Sequence, residues 1–334
     1  MLYVAEAAMR TRKPLQVSGL AEHYLGQWGR WLVFIAIIVN GIGTLIAYAS
    51  GPGDVISNIF GISPTLGTLI FSAFDSWVMY RGLHATGAAE GAITVGMALI
   101  IAILCGWTIF GPGIEASNFI VPILNLAVFS FLAQYVVPEL VPGMDPAKPH
   151  VTARALVAGM VVTGFTLALV PFAALGRLGM DVTEVVTIAW GEALGQVAYY
   201  LANIFALAAM LTSFLAIGFT TMRNILDIFH WEGANGQRGI AVALTTFPPL
   251  VIPLLGLGGF VAALPYAGGF AGAIMSIIPV MLLHASRKKG DRDPGWNVGW
   301  LANPLIEGTI IVVYFAAFIY SIVSILGIVP IGWA

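Results

Sequence analysis

Long runs without a single Asp, Glu, Lys or Arg recur along almost the whole chain. Residues 31–53, 55–74, 91–114, 116–138, 155–176, 193–222 and 308–334 each carry no such charge. Residues 239–283 add 45 more uncharged positions. That is room for two crossings with a tight turn near Gly256-Leu257-Gly258-Gly259. A helix crosses the hydrocarbon core of a bilayer with about 20 mostly apolar residues. An all-α integral membrane protein in one domain is therefore expected. Composition agrees, at 59% hydrophobic and 9% charged, against about 25% charged in a soluble domain.

Thirteen of the fourteen Lys and Arg residues fall in every second loop between these runs. Arg10, Arg12, Lys13 and Arg30 come first, then Arg81, then Lys148 and Arg154. Arg223 and Arg238 follow, then Arg287, Lys288, Lys289 and Arg292. The opposite loops hold only Arg177. By the positive-inside rule the basic loops are cytoplasmic, and a plasma or bacterial-type inner membrane is the expected location. A net charge of −2 gives no reason to propose a nucleic-acid partner. Cys105 is the sole cysteine, so no intrachain disulfide forms. His23, His84, His150, His230 and His284 all fall near cytoplasmic boundaries and match no zinc spacing. No Ser-His-Asp arrangement, phosphate loop or metal-spaced cluster occurs in the sequence, so neither an enzyme nor a cofactor is expected.

The expected crossings are 31–51, 64–80, 91–110, 119–141, 153–176, 196–222, 239–256, 259–284 and 304–328. Nine residues of apolar sequence precede Arg10 and reach only ~14 Å as a helix. Residues 1–13 are expected to be the cytoplasmic end of a further helix that the chain enters partway; a short interfacial anchor is the other reading. Trp28, Trp31, Trp77, Trp231, Trp296 and Trp300 mark cytoplasmic boundaries, and Trp107, Trp190 and Trp333 outer ones, as an aromatic belt would. Residues 14–30 suit a short interfacial helix. Between residues 177 and 194, Asp181 and Glu184 predict a capped start for a short amphipathic helix on the outer surface. It is either a lid or a packed loop.

Polar groups inside crossings are the candidates for function. Glu139 lies near the inner end of the fourth full crossing, where it could exchange a proton with the cytoplasm; an interfacial carboxylate that simply reaches water is the plain alternative. Asn125, Ser130 and Gln134 precede it, between Pro122 and Pro138. Proline at 138 removes a backbone donor and crowds the carbonyl of Gln134. A break near 130–135 would mark a cavity, because freed backbone in a bilayer must face protein or water; a simple kink is the alternative. Asn40, Thr44 and Tyr48 are spaced by four and share one helix face. Thr212, Ser213, Thr220 and Asn224 offer hydroxyls and an amide that serve either an ion or interhelical packing. Asp75, about a turn before Arg81, reads as structural, as do Glu90 and Glu307.

Thr212-Ser213-Phe214-Leu215-Ala216-Ile217-Gly218, followed by Asn224-Ile225-Leu226-Asp227-Ile228-Phe229, resembles the eighth helix of the aromatic and hydroxy amino acid permeases. These belong to the amino acid–polyamine–organocation superfamily. Ser130-Phe131 through Val137-Pro138-Glu139 is similar to that family's sixth helix, and Leu45-Ile46-Ala47-Tyr48 to its third. The resemblance implies a LeuT-like inverted repeat of five plus five helices, with helices one and six broken at the site. Residues 1–13 would end helix two, 31–141 hold helices three to six, and 153–328 hold helices seven to eleven. About nine full crossings and a partial one result, with helix one absent. Phe129, Ser130, Phe131, Leu132 and Ala133 would form the unwound part of helix six, with Leu132 where such permeases usually have Gly. Asn40, Thr44 and Tyr48 would wall the site. Thr212 and Ser213 would stand at the position that binds sodium in related transporters. The resemblance implies proton coupling instead, with Glu139 as the coupling group. Secondary active transport of an amino acid with an aromatic or apolar side chain is the implied function. A non-transporting membrane subunit or sensor on the same scaffold is the reading from another class.

Overall fold

The computed structural model describes residues 1–82, 87–111, 133–144, 148–179, 181, 185–231, 234–256 and 265–326. Every regular element among them is helical. Two short helices, α1 (Leu2–Met9) and α2 (Val17–Leu25), precede the long α3 (Gln27–Phe60). Next come α4 (Pro64–Arg81), α5 (Gly87–Phe110) and the single turn α6 (Val137–Leu140). Then follow α7 (Pro149–Leu178), the short α8 (Val186–Leu194), α9 (Gln196–Ile228) and α10 (Asn235–Leu254). A π-helical segment (Pro265–Ala271) runs directly into α11 (Gly272–Lys289), and α12 (Pro304–Ile325) is last.

Local sequence explains the boundaries. α3 stops at Gly61, whose φ of 69° is left-handed, a conformation that favours Gly at a helix end. Two residues later the Ser63 side chain accepts the Leu66 N–H, and Pro64 takes the first helical position. The result is a tight hairpin of α3 and α4. α9 is entered through Gly195, at φ 106°, immediately after α8. With 34 and 33 residues, α3 and α9 are each about 50 Å long at 1.5 Å per residue, longer than the hydrocarbon core.

Six helices are long and apolar enough to cross a membrane among the described residues. They lie within α3, α5, α7, α9, the π segment with α11, and α12. α4 and α10 fall short by composition: α4 has only 18 residues including Asp75 and Arg81, and α10 opens on Asn235, Gln237 and Arg238. Most of the expected crossing at 119–141 lies outside the described residues.

α3 is the central pillar, packed against α9, α4, α2, α10, α11 and the π segment. Two glycines allow these approaches. A side chain at Gly41 would strike the Thr221 side chain on α9, and one at Gly43 would press on Ala267 in the π segment. By contrast α7 buries little of itself, and Val161, Val162, Phe165 and Phe172 are each more than 60% exposed. An apolar helix with this much bare surface has lipid as its solvent.

α1 is packed inside the bundle rather than laid on its surface. Val4, Ala5 and Ala7 are fully buried, and so is Glu6. The Glu6 carboxylate accepts from Arg10 and from Arg287, both at 2.9 Å, and from the Val298 N–H at 2.7 Å. One carboxylate thus ties α1 to α11 and to the segment before α12.

α8 is described from Val186, and no side chain caps it there; most of the capped start expected at Asp181–Glu184 lies outside the described residues. One feature differs from the sequence reading: Trp190 is not a belt residue. It is fully buried and its indole N–H donates to Thr108 Oγ1 at 2.8 Å. Burying Trp190 against α5 fixes the register of α8. Trp28, Trp31, Trp77, Trp107 and Trp300 do project from the surface.

Candidate functional site

The face of α3 that carries Asn40, Thr44 and Tyr48 turns inward. Asn40 and Thr44 are buried. The Asn40 Nδ2 donates to the Ala267 carbonyl at 2.9 Å. That carbonyl belongs to the π segment, whose wider turn leaves the usual i→i−4 ladder incomplete. The Thr44 hydroxyl donates to the Asn40 carbonyl one turn back, at 2.7 Å. Both groups are therefore committed to backbone in this conformation. Tyr48, one turn further, is only partly buried, and its hydroxyl lies near the Ser213 side chain on α9.

Most of the break expected at 130–135 lies outside the described residues. Residues 134–136 form a turn, and α6 starts at Val137 with Pro138 in its first turn. Gln134 is buried there, and its Nε2 donates to Ser276 Oγ on α11 at 3.1 Å. Tyr135 is also buried and lies close enough to Tyr48 for the two phenols to interact electrostatically. Three separate elements thus bring Tyr48, Ser213 and Tyr135 near one another, next to the turn at residues 134–136. Ala133 adjoins them in sequence and is partly buried. Phe129, Ser130, Phe131 and Leu132 lie outside the described residues. Glu139 is within α6, but its side chain lies outside what is described.

Thr212 sits beside Ser213, and its hydroxyl donates to the Ala208 and Ala209 carbonyls at 2.9 and 3.1 Å. Its proton is used within its own helix, while the oxygen keeps lone pairs for a cation. Further along α9, Asn224 Oδ1 accepts from Ser18 on α2 at 2.9 Å, and its Nδ2 donates to the Thr220 carbonyl at 2.8 Å. Asn224 is an interhelical tie. Among the described residues no group of three or more His, Cys, Asp or Glu side chains could hold a metal.

A cavity of about 500 Å³ adjoins the Gln134–Ser276 pair. Its walls are mostly apolar, with Leu156, Met160, Pro279 and Ile310 among them, and Tyr3 and Tyr314 at its edges. Ligand pockets have this size and this mixture of apolar wall and few polar groups.

Sequence reasoning does not single out Tyr135 or Ser276. They give no signal, since a lone Tyr or Ser in a crossing is common and only packing aims it. Asp75 reads as structural in the sequence from its place near Arg81, but six residues along a helix put Arg81 on another face. Asp75 is fully buried, and neither carboxylate oxygen has a hydrogen-bond partner.

The chain matches the tryptophan/tyrosine permease family over residues 1–323. It belongs to that family. Tyrosine-specific transport system 1 of Haemophilus influenzae is 23% identical over 298 residues, covering 81% of this chain and 73% of that protein. A tryptophan-specific transport protein of Shigella flexneri is 25% identical over 340 residues, covering 91% and 80%. Glutamine transporter 2 of Aliivibrio fischeri is 22% identical over 321 residues, covering 89% and 80%. A member of this permease family is a multi-pass membrane transport protein rather than an enzyme. The resemblance drawn from the eighth-, sixth- and third-helix motifs is to the same family.

Proposed function

We propose that this permease moves an amino acid across the membrane by alternating access, as a proton symporter. The observation that carries the reading is the nearness of Tyr48, Ser213 and Tyr135 beside the turn at residues 134–136, in a chain of the tryptophan/tyrosine permease family. Transporters build substrate sites where helices are interrupted, because unwound backbone offers free donors and acceptors. Phenol rings and an apolar surround suit an aromatic or apolar side chain. Two relatives are named for tyrosine and tryptophan, which supports that class, and a third for glutamine, which widens it.

A LeuT-like inverted repeat accommodates the element order. α2 would be the short helix between crossings two and three, and α8 the outer segment between seven and eight. The basic loops would face the cytoplasm. Glu139 is the first candidate for the coupling group, because it follows the break and lies at the inner end of its crossing. Sodium bound by Thr212 and Ser213 is the alternative coupling chemistry.

Reconstituted vesicles loaded at one pH and diluted into another provide the test, with labelled tryptophan, tyrosine and glutamine as probes. Glu139→Gln is expected to keep exchange of internal for external substrate while losing uptake driven by the pH gradient. Unchanged gradient dependence would remove Glu139 from the mechanism. Uptake driven by sodium would replace the proton with sodium. Binding without uptake would favour a sensor on the same scaffold.

A further inference from the structure

One stripe of α4 carries Phe71, Asp75 and Met79 at successive four-residue spacings, and all three are buried. Its ends are fixed against α9. The Phe71 ring meets Phe214 edge to face, with centroids 5.8 Å apart, and the Met79 sulfur packs where a side chain at Gly218 would stand. Asp75 therefore lies between the Phe214 and Gly218 contacts, a turn beyond the level of Ser213. Ser72, three residues before Asp75, faces the same interior, and its hydroxyl is buried without a hydrogen-bond partner. Both Asp75 oxygens share that condition.

Charged groups on every element packed against α4 could have answered Asp75. They are Arg30 and Asp54 on α3, Arg223 and Asp227 on α9, and Arg238 on α10, with Tyr80 and Arg81 on α4 itself. None bonds to it. Arg30 is engaged by Glu22 and by the Ile228 carbonyl, and Arg238 Nη2 donates to the Met79 carbonyl. Tyr48 on α3 lies near Ser213. A buried acceptor without a partner is unfavourable, and an unpaired buried charge more so. Ionisable groups persist at such depth where they handle ions or protons.

We propose that Asp75, together with Ser72, forms a buried proton-binding site on α4 whose occupancy is linked to transport through the α4–α9 contact. The proposal rests on the proton-symport reading and gives it a second proton site, apart from Glu139. A proton fits better than a metal cation. Ser72 and Asp75 offer only three side-chain oxygens, and helical carbonyls are already committed to the backbone ladder. When the proton leaves, the anion needs a counter-charge or water. Either requires α4 to shift against α9 and α10, and so the proton is coupled to conformation.

The test uses the complete protein in vesicles and in an infrared cell. Asp75→Asn is expected to lose pH-gradient-driven accumulation and substrate-induced proton uptake while keeping substrate exchange, and Asp75→Glu to recover part of both. The wild type is expected to show a protonated-carboxyl infrared band that fades as pH rises and is absent from Asp75→Asn. Where Asp75→Asn fails to fold, Ser72→Ala carries the test, with a shifted pH profile of accumulation expected. Normal accumulation and proton uptake by Asp75→Asn would overturn the site and leave the transport reading standing. So would an unshifted profile in Ser72→Ala, whereas dependence of the flux on sodium instead of pH would overturn the symport reading and the coupled role of Asp75 with it. A titrating Asp75 band in a wild type that transports nothing would overturn the symport reading and keep the proton site.

Discussion

Asn40 shows how one side chain can hold an irregular helix in place. Asn40 Nδ2 donates from α3 to the Ala267 carbonyl in the π segment, a buried tie between the two elements. Asn40→Ala removes that donor without adding bulk. The expected cost is about 0.5–1.5 kcal/mol, the net worth of one buried hydrogen bond. It would be read as a lower melting temperature in detergent, with Asn40→Asp failing to restore it because a carboxylate has no N–H to donate. An unchanged melting temperature would mean that Ala267 finds another partner. Glu6 is the opposite case, a buried carboxylate fully answered by Arg10, Arg287 and the Val298 N–H. Glu6 and Asp75 are equally buried, and only their surroundings separate a structural carboxylate from one offered as a proton carrier.

At the scale of elements, contact between α3 and α9 depends on the missing side chain at Gly41. An added methyl would strike the Thr221 side chain on α9. Overpacking of this kind costs about 1–3 kcal/mol. Gly41→Ala is therefore expected to lower stability, and Thr221→Ala in the same protein to return part of the loss, since the two positions share the contact. Additive effects of the two changes would deny the clash. Because Ser213 and Tyr48 meet across this same helix pair, the single variant is also expected to weaken substrate uptake. α8 and α5 are joined differently, through the buried Trp190 and its bond to Thr108. A tryptophan read as a surface anchor from its position near a boundary proved to be the peg of an outer helix.

For the whole molecule, orientation can be measured directly. Cys105 is the sole cysteine and is 1% exposed, so the native chain offers little background to thiol labelling. New cysteines at Lys289, in a basic loop, and at Gly179, in an opposite loop, should report opposite sides. A membrane-impermeant maleimide is expected to label Gly179→Cys in intact cells and Lys289→Cys only in inside-out vesicles. The reverse pattern would contradict the positive-inside assignment. How much was legible follows from particular residues. Long uncharged runs announced α3, α5, α7, α9, α11 and α12, because a span needs continuous apolar length and nothing tertiary. Pro138 stands in the first turn of α6, where its missing N–H costs nothing, and that is a local fact. The Asn40, Thr44 and Tyr48 spacing announced a shared face, but not that Asn40 and Thr44 would be spent on backbone.

Sequence alone determined that the chain is helical and carries long apolar runs able to cross a membrane, and the resemblance of its motifs pointed to the permease family. The first two depend on composition, periodicity and local covalent chemistry, all carried by neighbouring residues. Only the tertiary structure decided that Tyr135 joins Tyr48 and Ser213, that Gln134 meets Ser276, that Trp190 is buried and that Asp75 has no partner. Each of these is a relation between residues far apart in the chain. Burial and partnership arise only when helices pack, and the same side chain is anchor, tie or proton carrier according to what the other helices bring beside it.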